Sequence, residues 1–165
     1  MSRRAHNGDV RIRRARLADL ETIVDFNERL ARETEGVQLD LDRLRAGVES
    51  MLRDDRVGFY LLAETDDGET LGQAGLTFEW SDWRNGVFWW LQSVYVRPEY
   101  RGQGVLRALY DRILALSADR SVCGIRLYVE RENRAAQAAY RRLGLDPAVF
   151  QMYERDFVID RGKAT

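Results

Sequence analysis

Apolar residues recur along this chain with two different spacings, which together predict a mixed α/β fold. Recurrence every three or four residues predicts helices, and alternation or a short unbroken apolar run predicts strands. The predicted helices cover residues 20–31, 41–52, 106–116 and 132–144. The predicted strands cover residues 10–15, 57–63, 71–80, 87–96, 125–129 and 149–153. The order is therefore one strand, two helices, three strands, then helix, strand, helix and strand.

The predicted strand 87–96 is apolar on both sides. Such a strand is typical of the interior of a sheet that helices cover on both faces. Uninterrupted alternation places Val96 on the face of Trp90, and it places Tyr95 on the opposite face with Trp89. The sequence therefore predicts a central sheet with helices packed on each side.

A short basic turn separates this strand from the next predicted helix. It consists of Arg101, Gly102, Gln103 and Gly104. Such a turn brings several backbone N–H groups to the positive end of the helix dipole, which makes an anion site suited to a phosphate or pyrophosphate. No Gly-Lys-Ser/Thr follows, so it is not a Walker loop, and G-x-G-x-x-G is incomplete. A plain glycine turn before a packing helix is the alternative interpretation.

Composition and charge narrow the class of protein. The 165 residues, 45% of them hydrophobic, predict a single domain over residues 10–157, with a flexible leader at 1–9 and a tail at 158–165. The formal net charge is only −1, which argues against nucleic acid as a partner. We see no membrane span and no signal peptide, so we expect a cytoplasmic protein that does not act at membranes.

Cysteine and histidine are each present once, as Cys123 and His6. A single cysteine cannot form an internal disulfide, and we expect it to be buried filler. A single histidine argues against a His-based metal site and against a Ser-His-Asp triad. We therefore expect no bound metal.

The basic turn resembles motif A of the GNAT superfamily of acetyl-CoA-dependent N-acetyltransferases, Arg/Gln-x-x-Gly-x-Gly/Ala. Arg101 is the first residue of that pattern and Gly104 the fourth. The sixth is Leu106, where the family prefers Gly or Ala. Backbone donors survive any side chain, so phosphate binding is still expected, and Leu106 should turn into the core between helix and sheet.

A later segment resembles motif B of the same superfamily, Asn-x-x-Ala-x-x-x-Tyr. The corresponding residues are Asn133, Ala136 and Tyr140. The two motifs follow the family's order, and the resemblance extends from Val10 to about Tyr153. It implies the GNAT fold, with a central, twisted, mostly antiparallel sheet flanked by helices on both faces. A helix cap for Asn133 and a packed aromatic for Tyr140 are the alternatives.

The resemblance implies acetyl-CoA as co-substrate. In the family the loop amides hold its pyrophosphate, the motif B asparagine bonds the pantetheine region, the tyrosine reaches the sulfur, and a backbone N–H of the motif A strand serves the thioester carbonyl. The coenzyme-binding residues implied here are Val94, Tyr95, Val96, Arg101, Gly102, Gln103, Gly104, Val105, Leu106, Arg107, Asn133, Ala136 and Tyr140.

Acetyl transfer to an amine requires a neutral amine, an oxyanion donor and a proton for the departing thiolate. Tyr140 is the candidate acid, because a phenol has a pKa of about 10. Glu79 is the candidate base, although an exposed charge at a strand end is as good an interpretation. Gln92 cannot take a proton at neutral pH but can hold a water in a relay. Glu33 or Glu35 could serve as the base instead.

Aromatic side chains and carboxylates beside the expected acceptor site suit an amine or another cation. The candidate acceptor-binding residues are Glu33, Glu35, Trp80, Trp83 and Trp90. At least half of the four tryptophans are expected to be packing residues.

We therefore expect an N-acetyltransferase that moves an acetyl group by direct transfer to a primary amine of a small molecule or peptide. The alternative is a non-catalytic acyl-CoA-binding module on the same fold, because Gln92 and Ser93 stand where a base is common. The resemblance also allows a homodimer through the late strands.

Overall fold

The computed structural model describes residues 10–118 and 121–159. The leader, His6 and the end of the tail lie outside the described residues. The chain divides into two compact units, one that ends at Tyr128 and one that begins at Val129. The predicted division into leader, single domain and tail stays a prediction.

The first unit contains five strands and three helices. The strands are β1 (Arg11–Arg14), β2 (Phe59–Glu64), β3 (Thr70–Ser81), β4 (Gly86–Val96) and β5 (Val122–Arg126). The helices are α1 (Leu20–Glu35), α2 (Leu41–Arg53) and α3 (Val105–Ser117), with short 3-10 turns at Leu17–Asp19 and Pro98–Tyr100. The second unit contains α4 (Arg134–Arg142). This is the mixed α/β order that the sequence predicted, except at its last strand.

The five strands form one sheet in chain order, β1-β2-β3-β4-β5. The first four are antiparallel neighbours, and β5 runs parallel to β4. A parallel neighbour needs a crossover connection, and α3 supplies it. The mostly antiparallel sheet is confirmed.

Helices cover both faces of this sheet in the first unit. Tyr60 and Leu62 of β2 pack in a buried cluster with Ile23 of α1 and Val48 of α2. The alternate β2 residues, among them Leu61, lie on the other face, where α3 packs. A small cavity there is lined by Arg14, Phe59, Leu61, Trp89 and the α3 residues Arg112 and Leu116. Alternation along β2 thus separates an α1–α2 face from an α3 face.

The helix ends follow from local chemistry. Gly36 ends α1 in the left-handed conformation, with φ at 64°, as a helix-terminating glycine commonly does. Asp40 begins α2, because its side chain accepts hydrogen bonds from the backbone N–H groups of Asp42 and Arg43. Helix α1 extends to Glu35, so Glu33 and Glu35 lie in its last turn.

The predicted faces of β4 are wrong at its end, because a β-bulge interrupts the alternation. Gly75 pairs with Gln92 and Gln73 with Tyr95, so β4 has two residues, Ser93 and Val94, where β3 has one. The extra residue shifts every later side chain to the other face. Tyr95 therefore lies on the α1 face, where its ring centroid is 5.1 Å from that of Phe26.

Strand β5 begins and ends three residues earlier than predicted. Its pairing with β4 runs from Val87↔Val122 to Trp90↔Arg126. The apolar residues that follow Arg126 extended the predicted strand, but they lie beyond the last pair.

The predicted strand at 149–153 is wrong. In the described part of the second unit, the chain after α4 forms no strand. Val149, Phe150 and Tyr153 are exposed there. The alternating pattern alone could not form a strand, because a short strand needs a neighbour for its backbone hydrogen bonds.

In the part of the chain that the structure describes, no helix is long and apolar enough to cross a membrane.

Candidate active site

The predicted anion-binding turn connects β4 to α3. Gly102 and Gly104 have φ values of 74° and 87°, a region that glycine adopts without steric cost. Gly104 precedes the first residue of α3, so no side chain caps the helix. The first backbone N–H groups of a helix have no acceptor within it. The turn therefore has backbone donors that can face an anion, and its role in binding one stays a prediction.

Leu106 is only half-buried, which corrects the expectation that it turns into the core. Val105 and Leu109 of α3 are buried instead. Three or four residues separate successive core positions of a helix, so the core stripe falls on Val105 and leaves Leu106 at its side. Arg107, the next residue, is exposed.

Arg101 attaches the turn to two other elements. Its Nε donates to the Val96 carbonyl at 2.8 Å, and its guanidinium donates to Glu33 of α1 at 2.6 Å. The Tyr95 hydroxyl donates to the same carboxylate at 3.1 Å. Burial alone would raise the pKa of Glu33, but the hydrogen bonds from Arg101 and Tyr95 outweigh it and lower that pKa. Glu33 is thus bound to the turn.

The open edge of β4 lies beside this turn. Strand β4 continues to Val96, whereas its last pair with β5 is Trp90↔Arg126. Along Val94, Tyr95 and Val96 that edge therefore has no strand partner among the described residues. Backbone groups on such an edge can bind a ligand.

A chain of polar side chains lies on the α1–α2 face just before the bulge. The Tyr128 hydroxyl donates to Gln92 Oε1 at 3.2 Å, and Gln92 Nε2 donates to Thr77 Oγ1 at 2.7 Å. Gln92 thus has a polar neighbour on each side, an arrangement that can hold a water.

Glu79 lies on the same face and is already hydrogen-bonded at both oxygens. The Trp90 indole N–H donates to Oε2, and Arg126 donates to Oε1 at 3.0 Å. The Arg126 guanidinium also lies 3.6 Å from the centre of the Phe88 ring. A substrate proton would therefore have to compete with these contacts, and the role of Glu79 as base stays a prediction.

The tryptophans do not form one aromatic wall. Trp89 is buried, Trp80 is exposed, and Trp83 in the β3–β4 turn is 90% exposed. Trp80 pairs with Val87 and Trp90 with Thr77, which places the two on opposite faces of the sheet. Only Trp90 lies on the face of Gln92. Glu35, the last residue of α1, is exposed.

In the second unit, Asn133 caps α4. Its Oδ1 accepts from the Ala136 N–H at 3.0 Å, the bond expected of a helix N-cap. Burial raises the pKa of Tyr140, so that phenol keeps its proton at neutral pH. The roles of Asn133, Ala136 and Tyr140 toward a coenzyme stay predictions.

Sequence reasoning missed a buried polar network beneath the bulge, formed by Asn27, Tyr60, Gln73 and Ser93. Gln73 is fully buried. Its Nε2 donates to Asn27 Oδ1 at 2.8 Å and to the Ser93 carbonyl at 3.1 Å. The sequence signal was a glutamine in the first half of the predicted strand 71–80, where its neighbours are apolar residues and glycines.

Among the residues that the structure describes, no group of three or more His, Cys, Asp or Glu side chains could hold a metal ion.

Comparison with known proteins identifies relatives over most of the chain. Residues 18–145 match the model of the Acetyltransferase (GNAT) family. Thialysine N-epsilon-acetyltransferase of Bos taurus is 33% identical over 147 residues, which are 82% of this chain and 83% of that protein. Mycothiol acetyltransferase of Mycolicibacterium gilvum (strain PYR-GCK) is 34% identical over 97 residues, which are 56% of this chain and 30% of that protein.

A solved structure is also similar. The crystal structure of a possible acetyltransferase from Clostridium difficile 630 superposes with a TM-score of 0.82 at 44% sequence identity. The superposition covers 91% of this chain and 99% of that one.

Proposed function

Because this chain belongs to the acetyltransferase (GNAT) family, and is therefore an acyltransferase, we propose that it moves an acetyl group from acetyl-CoA directly to a primary amine of a small molecule or a peptide. GNAT acetyltransferases use acetyl-CoA, which makes it the expected co-substrate.

The observation that supports this proposal best is the turn beside the open edge of β4. The backbone N–H groups at residues 102–107 suit the pyrophosphate of a coenzyme. The edge at Val94–Val96 supplies backbone groups for an extended chain such as pantetheine. Two different recognition chemistries, one for an anion and one for an amide-containing chain, thus meet within a few residues.

The reaction needs no covalent enzyme intermediate. The amine nitrogen attacks the thioester carbonyl carbon, a C–N bond forms, and the C–S bond breaks. The nitrogen loses one proton, and the coenzyme thiolate gains one. A backbone N–H beside the bulge would stabilise the oxyanion that forms between these steps.

We assign the proton for the thiolate to Tyr140, whose phenol is protonated at neutral pH, since its ordinary pKa is about 10 and burial raises that pKa further. The proton on the nitrogen would leave through a water held at Gln92, whose neighbours Thr77 and Tyr128 continue the polar chain. Glu79 would assist either as the base or by holding Trp90 in place.

The acceptor would be a primary alkylamine. The bovine relative is named for the ε-amino group of thialysine, and a flexible amine of that kind fits a site with a half-buried indole, Trp90, and the nearby Glu79 carboxylate. Trp80 and Trp83 are less suited, because they do not share the face of Gln92.

The test is turnover of acetyl-CoA against a panel of amines, with release of free thiol as the readout. The panel would contain thialysine, lysine, a peptide with a free N-terminus and a tertiary amine as the control. We expect thiol release with a primary amine and none with the tertiary amine, which cannot form a stable amide.

A non-catalytic acyl-CoA-binding module is the second candidate. It is favoured by one observation, the amide side chain of Gln92 where a carboxylate base is common. Tight binding of acetyl-CoA in calorimetry without thiol release from any amine of the panel would support this candidate and contradict the first.

A further inference from the structure

The backbone of Ser93 has an unusual conformation for its place in the fold. Its φ is 49°, in the left-handed region, although it is not glycine and lies within strand β4. In residues 10–118 and 121–159, Asn85 is the other non-glycine residue with positive φ, and it occupies a turn where asparagine tolerates this conformation. A strained residue inside a strand persists only where its surroundings impose it.

The buried network supplies those surroundings from three elements. Gln73 of β3 donates from Nε2 to the Ser93 carbonyl, and the same nitrogen donates to Asn27 of α1. Asn27 Nδ2 donates to the Tyr60 hydroxyl of β2 at 3.3 Å. Burial raises the pKa of Tyr60, and polar interactions of its hydroxyl with Asn27 and with the Ser93 side chain oppose that rise. The direct tether of Ser93 is therefore the hydrogen bond that its carbonyl accepts from Gln73.

Gln73 makes this network at a cost. Its Oε1 is buried and has no hydrogen-bond donor among the described residues. A buried acceptor without a donor loses the hydration that it has in the unfolded chain. A methionine of similar size would avoid that loss. What only the glutamine provides is the pair of N–H groups that it directs to Ser93 and Asn27.

The position of Ser93 connects this network to the chemistry. The bulge at Ser93 and Val94 interrupts the ladder with β3, on the stretch of β4 that has no β5 partner among the described residues. A bulge turns backbone groups away from their regular pairing direction. Gln73, which donates to the Ser93 carbonyl, is therefore placed to influence the orientation of the N–H groups next to Ser93.

We propose that Gln73 is a positioning residue for acetyl transfer: it fixes the Ser93 bulge so that a backbone N–H of β4 is aimed at the thioester carbonyl. This inference rests on the proposed function, because it assumes that the thioester lies at the open edge of β4. Gln73 itself does not touch substrate; it acts through Ser93.

The test compares Gln73→Met with a packing variant of equal stability. Leu62 is the cross-strand partner of Gln73, and its side chain is fully buried and apolar. The control is therefore a truncation of Leu62. Of Leu62→Val and Leu62→Ala, we choose the variant whose unfolding free energy matches that of Gln73→Met. Misplacing a reacting group by about 1 Å costs roughly 100-fold in rate. We expect kcat to fall between about 10- and 100-fold in Gln73→Met, whereas KM for acetyl-CoA stays unchanged. In the Leu62 control, we expect kcat to stay at the wild-type value.

A second measurement does not depend on turnover. Amide hydrogen exchange at residues 93–95 should be faster in Gln73→Met than in the Leu62 control, because the bulge loses its tether. Tyr60→Phe keeps the ring and removes the hydroxyl next to Ser93, and it should accelerate the same amides to a smaller extent. It also provides a folded variant if Gln73→Met does not fold.

The outcomes separate the two proposals. Equal kcat in Gln73→Met and wild type, or an equal loss of kcat in the Leu62 control, overturns the positioning role while the proposed function stands. Unchanged exchange at residues 93–95 in both Gln73→Met and Tyr60→Phe overturns the tether itself. A wild-type protein that releases no thiol contradicts the proposed function, and the exchange comparison still decides whether Gln73 holds the bulge.

Discussion

At the scale of single residues, Arg101 shows how one side chain joins distant parts of the first unit. It contacts the Val96 carbonyl at the end of β4 and the Glu33 carboxylate at the end of α1. Sequence reasoning had placed these two residues in different sites, Arg101 with the coenzyme and Glu33 with the acceptor. The ion pair makes Glu33 a neighbour of the predicted anion-binding turn.

Tyr140 is the residue whose proposed chemistry can be isolated most cleanly. Tyr140→Phe keeps the ring and removes only the proton donor. Help from a general acid is typically worth about 10²–10⁴-fold, so kcat should fall by that factor while the calorimetric affinity for acetyl-CoA changes little. A variant that turns over as fast as wild type would make Tyr140 a packing residue.

Glu79 has two contacts that a base would have to give up. We expect Glu79→Gln, which keeps the acceptor oxygen for one of them, to lower kcat only a few-fold and to leave the acidic limb of the pH–rate profile in place. Arg126→Met is the matched variant on the other side of the ion pair and should have a similar effect. Loss of the acidic limb in Glu79→Gln alone would instead identify Glu79 as the base.

At the scale of elements, the turn before α3 allows a controlled test of coenzyme binding. A Cβ atom at Gly104 would meet no protein atom within 4 Å, so Gly104→Ala creates no clash, but it strains a backbone with φ at 87°. Gly68, in the β2–β3 turn, has φ at 85° and equally open surroundings. Both variants therefore carry a similar backbone cost.

We expect only Gly104→Ala to lower the affinity for coenzyme A, by at least tenfold, because its methyl group enters the space from which a phosphate approaches the N–H groups. Isothermal calorimetry with coenzyme A measures the effect. Equal affinity in the two variants would show that the anion does not approach the turn at Gly104.

The elements also show how far the sequence could predict this structure. Periodicity placed the helices and the first four strands within a few residues, because each helix has a clear apolar face and each of these strands either alternates or is apolar throughout. It failed at β4, where the conformation of Ser93 depends on Gln73, Asn27 and Tyr60, which are distant in sequence. Periodicity also failed at 149–153, because the existence of a strand depends on a partner.

In the candidate site, too, some features could be predicted from the sequence and others could not. The turn at Gly102 and Gly104 was predictable, because glycine readily adopts the positive φ of such a turn and a helical pattern follows directly. The partners of Glu33 and Glu79 were not predictable. An ion pair between residues 68 or 47 positions apart depends on how the elements pack, which a single sequence does not encode locally.

At the scale of the whole molecule, a partly buried ion-pair network joins β1, β2 and the start of α1. Arg13 donates to both oxygens of Asp19 at 2.8 Å and to Glu64, which is buried, at 2.8 Å. Hydrogen bonds from Arg13 lower the pKa of both carboxyl groups. Because the folded pKa values lie below the unfolded values of about 3.9 and 4.3, this stabilisation is complete above about pH 5 and is lost as the pH falls through the folded values.

Arg13→Met should therefore lower the unfolding free energy by about 2–3 kcal/mol at pH 7, because Glu64 loses a charged partner in a buried place. The difference from wild type should shrink as the pH falls from 5 to 3, since protonated carboxyl groups no longer need the cation. Urea denaturation at several pH values measures both effects. As the control, Arg56→Met breaks an exposed ion pair with Asp54 and should leave the unfolding free energy unchanged. A loss of unfolding free energy in Arg13→Met that does not vary with pH would contradict the coupling between stability and protonation of the two carboxyl groups.

The place of β1 at the end of the sheet has a further consequence for self-association. An edge strand offers unpaired backbone groups on which a strand of another molecule can dock and begin aggregation. This edge is only four residues long, and three of them are arginines: Arg11, Arg13 and Arg14. Charged side chains on a short edge deter such docking, because a second strand that pairs with this edge would have to remove water from them. Arg13, which stabilises the fold through Glu64 and Asp19, is thus also one of the charged side chains that disfavour strand docking at this edge.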